Sequence, residues 1–98
     1  MLEPCIPHDE ITRQITLDSL NILDTPPVEQ LDRVTRLAAG YFKVTTALVS
    51  LVDENRQWFL SRFGLDATDT PRNISFCGHA ILQNDTFIVP DAKKDERF

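Results

Sequence analysis

Two short runs near the middle of the chain have the patterns of apolar and polar residues expected of strands. A strand over 44–53 would be apolar on nearly both faces, since Ser50 is the one polar side chain between positions 47 and 52. Strands with this pattern are usually buried on both sides, so we predict a central position for it. The second run, 57–63, mixes polar and apolar side chains on both faces, which favours a place nearer an edge or beside a cavity. The polar residues 53–56 between the runs predict an antiparallel hairpin.

Two helices are predicted ahead of this hairpin. The spacing of isoleucines and leucines predicts a helix over 9–21, and Asn21 tolerates the left-handed conformation common at helix ends. Thr25 followed by two prolines predicts the start of a second helix over 26–42, ending near Lys43. An apolar stripe of this helix is predicted to pack on the sheet. The stripe consists of Leu31, Val34, Ala38, Tyr41 and Phe42.

The second half of the chain is richer in turns. Residues 64–73 predict an ordered surface loop, in which Asp69 and Arg72 form an exposed ion pair. A serine N-cap predicts a short helix over 76–83, and a third strand is predicted over 86–89. A charged loop follows to the last residue.

Composition narrows the classes of function. Ten Lys and Arg against fifteen Asp and Glu give a formal charge of −5, and the basic residues are scattered, which argues against nucleic-acid and membrane binding. No apolar run is long enough to span a membrane or to act as a secretory signal. Residues 1–8 predict a mobile leader containing Cys5, and with Cys77 far downstream the two cysteines give no disulfide framework. A cytoplasmic location is therefore expected.

Four segments, in order, resemble the N-terminal part of a bacterial GAF domain. The resemblance is to the subgroup found ahead of diguanylate cyclase (GGDEF), cyclic-di-nucleotide phosphodiesterase (EAL) or sensor histidine kinase modules. The segments are ILDTPP at 22–27, ALVSLVDENRQWF at 47–59, ATDTPRNISFCGHAIL at 67–82 and IVPDAKKDERF at 88–98.

The resemblance implies a six-stranded antiparallel sheet flanked by helices, with a small-molecule pocket on one face. The expected fold is therefore α+β, a GAF-like sheet over 9–98 that is truncated after its third strand. Open strand edges invite pairing with another chain, so a homodimer that completes the sheet between chains is expected.

The resemblance leaves two functions open. The first is a sensory small-molecule-binding module that regulates a downstream output domain in bacterial signal transduction, including cyclic-di-GMP signalling. The second is a structural dimerisation module with no physiological ligand. We do not expect an enzyme, because the chain has no phosphate-binding loop, paired carboxylates or Ser/His/Asp arrangement.

Cys77 and His79 are the residues that most invite a chemical role. Two positions apart on a helix they point about 200° from each other, and no second Cys/His pair completes a zinc site, so we expect no metal. The favoured interpretation is that Cys77 is a small buried hydrophobe and that His79 is a hydrogen-bonded helix residue. A minority hypothesis is a thiolate at Cys77, stabilised by the first helical turn, that holds a bilin or acts in redox chemistry.

The remaining candidate ligand residues are aromatic or hydroxylic. Trp58 and Phe59 should lie on opposite faces of their strand, with Ser61 on the face of Phe59, so one ring could stack on a planar ligand. Packing against helices explains both rings equally well. Phe76 follows the serine cap and is more typical of a core residue than of a ligand contact. The expected ligand is a small molecule that the sequence does not identify, and the cofactor, if any, is unknown.

Overall fold

A computed structural model describes residues 1–98 as a three-stranded antiparallel sheet with three α-helices. The predicted α+β class is confirmed. The helices are α1 (Glu10–Ser19), α2 (Glu29–Phe42) and α3 (Phe76–Ala80). The strands are β1 (Ala47–Val52), β2 (Arg56–Phe63) and β3 (Asp69–Pro71), and a 3-10 turn covers Arg72–Ile74. No helix combines the length and the apolar character that crossing a bilayer requires.

The order of the strands is β1-β2-β3, so the central strand is β2 and not β1. The sequence prediction was wrong here because the region 64–73, predicted as a loop, supplies β3. Trp58 pairs with Asp69 and Gln57 with Thr70, which gives β2 a neighbour on both sides. β1 is paired along one edge alone, and an unpaired apolar edge is a surface on which further strands can add.

A β-bulge in the hairpin decides which side chains share a face. Val49 pairs with Ser61 and Ser50 pairs with Phe59, so Leu60 is an extra residue on β2. Because paired residues of an antiparallel ladder project to the same face, Trp58 and Ser61 lie on one face and Phe59 on the other. The predicted grouping of Ser61 with Phe59 was therefore wrong, since strict alternation does not hold across a bulge.

Helix α2 begins three residues later than predicted, after an extended Val28. A residue before proline is disfavoured in the helical region, so the Pro26-Pro27 pair keeps the chain extended. The end is as predicted, because Lys43 takes the left-handed cap conformation at φ 53°.

The face of α2 that packs on the sheet is also not the predicted one. Thr35 and Ala39 are its buried residues. Val34, Tyr41 and Phe42, predicted to pack on the sheet, are exposed. Hydroxyl contacts to β2 turn the helix so that its small and polar side faces inward.

Helix α1 is held to the end of β1 by charge. Glu10 forms a two-pronged ion pair with Arg72 at 2.7 and 2.8 Å, and the Arg72 side chain is almost fully buried. Arg13 bonds to Glu10 and donates to the carbonyl of Val52. The predicted Asp69–Arg72 pair was wrong, because Arg72 turns inward from the 3-10 turn; Asp69 lies instead 3.5 Å from Arg56.

The two chain ends meet over α3. The amide of Leu2 donates to the carbonyl of Arg97 at 2.7 Å, and Pro4 packs so closely that a Cβ on Gly78 would lie 2.7 Å from its ring. Residues 1–8, predicted as a mobile leader, thus have defined contacts. Residues 86–89, predicted as a strand, form none, and Phe87 packs near Phe98.

Candidate functional site

A cleft of about 270 Å³ lies between β2 and the start of α2. We call it the β2–α2 cleft. It contains three of the six predicted ligand residues and a set of polar groups, the usual character of a small-molecule site. Its lining residues are Thr25, Pro27, Asp32, Trp58, Phe59, Leu60, Ser61, Arg62 and Thr68.

The polar centre of the cleft is a set of three side chains that join β2 to α2. The Ser61 hydroxyl donates to Asp32 Oδ1 at 2.6 Å and lies 3.0 Å from the Thr35 hydroxyl. Thr35 also donates to the carbonyl of Asp32 at 3.0 Å. Ser61 is 2% exposed, so its hydroxyl has exchanged water for these partners. A ligand that competes for Asp32 or Ser61 would act directly on the contact between strand and helix.

The aromatic residues of β2 divide between the two faces of the sheet. Trp58 is buried on the face of Ser61 and supplies the ring of the cleft. Phe59 is also buried, but its pairing with Ser50 places its side chain on the other face of the sheet. It therefore lines the cleft with its backbone and not with its ring. Of the two rings, Trp58 is the one placed to stack on a ligand in this cleft.

Cys77 lies on the opposite face of the sheet. Burial raises the pKa of its thiol, and a hydrogen bond with Ser50 offsets part of that rise. The raised pKa argues against a stabilised thiolate, because loss of hydration disfavours the charged form. Ser75 caps this turn as predicted, accepting from the amide of Gly78 at 2.9 Å.

Phe76 and His79 point towards the chain ends and away from the cleft. The Phe76 ring stacks on Phe98, with centroids 4.2 Å apart. His79 Nε2 lies 3.0 Å from the carbonyl of Leu2, and its ring meets Phe98 edge-on. Of the three candidates on α3, Phe76 and His79 therefore contact the chain ends, whereas Cys77 contacts β1. Nowhere do three or more His, Cys, Asp or Glu side chains gather as metal ligands would.

A second, wider groove of about 500 Å³ separates α1 from β1. It is more apolar than the β2–α2 cleft, and none of the six predicted ligand residues lines it. Its apolar lining consists of Leu17, Leu20, Leu51, Val52 and Ile81. Because it contains none of the predicted ligand residues and its surface is largely apolar, it is the weaker candidate.

Sequence reasoning missed the contribution of α2 to the site. Asp32 and Thr35 are three positions apart and therefore neighbours on the helix surface. Neither residue belongs to the apolar stripe that was predicted to pack on the sheet. A useful signal was Ser61 itself, a hydroxyl that directly follows three apolar residues of the strand and needs a partner where it is buried.

Comparison with known proteins gives one informative match. No family model matches the chain. Cyclic di-GMP phosphodiesterase PA2567 of Pseudomonas aeruginosa is 42% identical over 98 residues. The match takes in the whole chain, which spans 17% of the length of that relative.

Proposed function

We propose that the chain is a GAF-type sensory module that regulates a cyclic-di-GMP signalling enzyme. The observation that supports this most is the 42% identity, over the full chain, to a stretch that is 17% of a cyclic di-GMP phosphodiesterase. So small a share of an enzyme is better suited to controlling a catalytic unit than to forming one. The order of the GAF-like segments and the α+β fold agree with this role.

The β2–α2 cleft is the proposed ligand site. Trp58 offers a flat apolar surface, and Asp32 and Ser61 offer an acceptor and a hydroxyl close to it. This combination suits a small planar molecule that carries a hydrogen-bond donor.

Signal transmission would follow from the position of the polar centre. A ligand donor that takes over Asp32 Oδ1 would replace the hydrogen bond that Ser61 makes to α2. Any ligand that binds one packing of α2 on β2 more tightly than another shifts the balance between them. Helix α2 is therefore the proposed carrier of the signal to an output domain.

The second candidate function is a dimerisation module without a ligand. The exposed apolar residues on the outer side of α2 favour it, because a monomer has no use for them. The two functions are compatible, since one uses the inner face of the helix and the other the outer face.

Native mass spectrometry of the chain purified from bacterial cells tests the ligand proposal. We expect a defined extra mass that is kept under mild conditions and lost on denaturation. Ser61→Ala should lose it, whereas Ser19→Ala, which removes an exposed hydroxyl on α1, should keep it. If the wild type and both variants all show the mass of the chain alone, with no added mass, the small-molecule site is contradicted.

A further inference from the structure

Helix α2 carries an outer stripe of three apolar side chains, Val34, Leu37 and Tyr41. They are 52%, 66% and 82% exposed, because the opposite face of α2 is the one that packs on the sheet. At about 100° per residue they lie within about 60° of one another around the helix axis. This is the spacing of a seam between two packed helices.

The two flanks of the stripe differ in character. Arg33 and Gly40 lie on one side, and Leu31 and Ala38 on the other. Arg33 takes part in no ion pair, whereas the neighbouring Arg36 is held by Glu29. A Cβ at Gly40 would meet nothing within 4 Å, so this flank has an open notch.

We propose that the outer stripe pairs with the same stripe of a second copy of this chain, antiparallel, about a two-fold axis near Leu37. Such an axis places each flank opposite the same flank of the other copy. Arg33 then lies level with the partner's Tyr41 and beside the notch at the partner's Gly40. The guanidinium gains an aromatic face, with which arginine interacts favourably.

A parallel pair would not satisfy these groups. A two-fold axis along the helices places each flank opposite the other one, so Arg33 would face the apolar side of the partner's Leu31 and Ala38. A guanidinium left against apolar surface without a partner is costly. The distribution of charge therefore selects the antiparallel arrangement.

The available area fits a reversible dimer. An aromatic side chain buries roughly 150–250 Å², so Tyr41 at 82% exposed supplies roughly 150 Å² per copy. With Val34, Leu37 and the flanks, the total over both copies is on the order of 1,000 Å². That lies at the lower limit for a specific interface, so we expect exchange between monomer and dimer.

Sedimentation of the chain over a range of concentrations tests the proposal. Leu37→Glu should raise the dissociation constant at least tenfold. Ile15→Glu is the matched control, because Ile15 on α1 is 64% exposed against 66% for Leu37 and lies outside the stripe. A wild type that stays monomeric at every concentration would overturn the proposal, as would equal dimerisation of Leu37→Glu.

Disulfide trapping tests the orientation without relying on a destabilising charge. In a Cys5→Ser, Cys77→Ser background, Arg33→Cys mixed with Gly40→Cys should give the mixed dimer, with little of either self-linked form. Efficient cross-linking of Arg33→Cys to Leu31→Cys, with little Arg33–Gly40 product, would indicate parallel helices and overturn the arrangement. Efficient self-linking of Leu48→Cys on β1 would instead indicate a dimer through the sheet edge and also overturn it. Neither result depends on what the β2–α2 cleft binds.

Discussion

Helices α1 and α2 both lie beside the sheet, but different chemistry holds each of them there. α1 is fixed by one concentrated clamp of charge, centred on the pair between Glu10 and Arg72. α2 is fixed by small buried residues and by the hydroxyl contact between Thr35 and Ser61. Because a few charged groups hold α1, a single substitution or acid should lower the unfolding free energy strongly. Because many small contacts hold α2, a single substitution there should lower it less.

The largest loss is expected on breaking the clamp of α1. Arg72→Met leaves the Glu10 carboxylate and the carbonyls of Asp53 and Glu54 without their buried donor. Removing one partner of a buried pair costs about 3 kcal/mol or more. Urea unfolding measures the loss. The control is Arg36→Met, which removes an exposed pair with Glu29 and should cost under about 1 kcal/mol. Equal losses for the two variants would show that the Glu10–Arg72 pair stabilises the fold no more than an exposed pair does.

Acid should weaken the same clamp. Hydrogen bonds from Arg72 and Arg13 lower the pKa of Glu10 from its usual 4.5 to about 2. A carboxyl whose folded pKa is depressed contributes stability that is present above about pH 4.5 and lost as the pH falls towards 2. We expect a loss of about 2 kcal/mol over this window, allowing for partial exposure of the side chain. Glu10→Gln should flatten the profile of unfolding free energy against pH between these limits, and an unchanged slope would contradict the assignment.

The hydroxyl contact of α2 should give a smaller effect. Ser61→Ala removes the donor to Asp32 and the neighbour of Thr35, which should cost about 1–2 kcal/mol of unfolding free energy. Ser19→Ala, which loses an exposed hydroxyl bond to a backbone carbonyl, is the control and should be near neutral. A near-neutral result for Ser61→Ala as well would show that the contact does not hold α2 on β2.

The smallest change in stability is expected from a substitution on the outer side of α2. The same substitution should act in opposite directions on folding and on dimerisation. Gly40→Ala adds a methyl group where nothing lies within 4 Å, so it should stabilise the helix by about 0.5–1 kcal/mol at low protein concentration. The same methyl group fills the notch proposed for Arg33 and should weaken the dimer. Thermal unfolding of this variant measures its stability, and sedimentation measures its dimerisation. If both the fold and the dimer become more stable, Arg33 does not lie in the notch at Gly40 of the other copy.

The sequence predicted the hairpin well because its signal is local. The two strand-like runs and the polar turn at 53–56 are close in the chain, and Asp53 Oδ1 accepts from the amide of Glu54 as expected for a turn aspartate. Which strand is central depends on β3, a three-residue strand that pairs only because β2 is already beside it. No periodicity exists over so short a segment.

The candidate site was half predicted, for a related reason. Trp58 and Ser61 could be singled out because their residue types suit ligand contact. Their shared face could not be predicted, since the bulge at Leu60 follows from the pairing of two strands. The inward side of α2 was missed because apolar spacing alone does not tell a sheet-packing face from a face that meets another chain.

Regulation of a cyclic-di-GMP enzyme is the central claim, and a chimeric enzyme tests it most directly. The matched stretch of the Pseudomonas aeruginosa phosphodiesterase would be replaced by this chain, and cyclic di-GMP hydrolysis compared with that of the intact relative and of a version lacking the stretch. We predict that deletion changes the rate, that the chimera restores the intact rate, and that Ser61→Ala in the chimera returns it towards that of the deletion. A chimera that behaves like the deletion, with or without Ser61, would contradict a regulatory role for this chain.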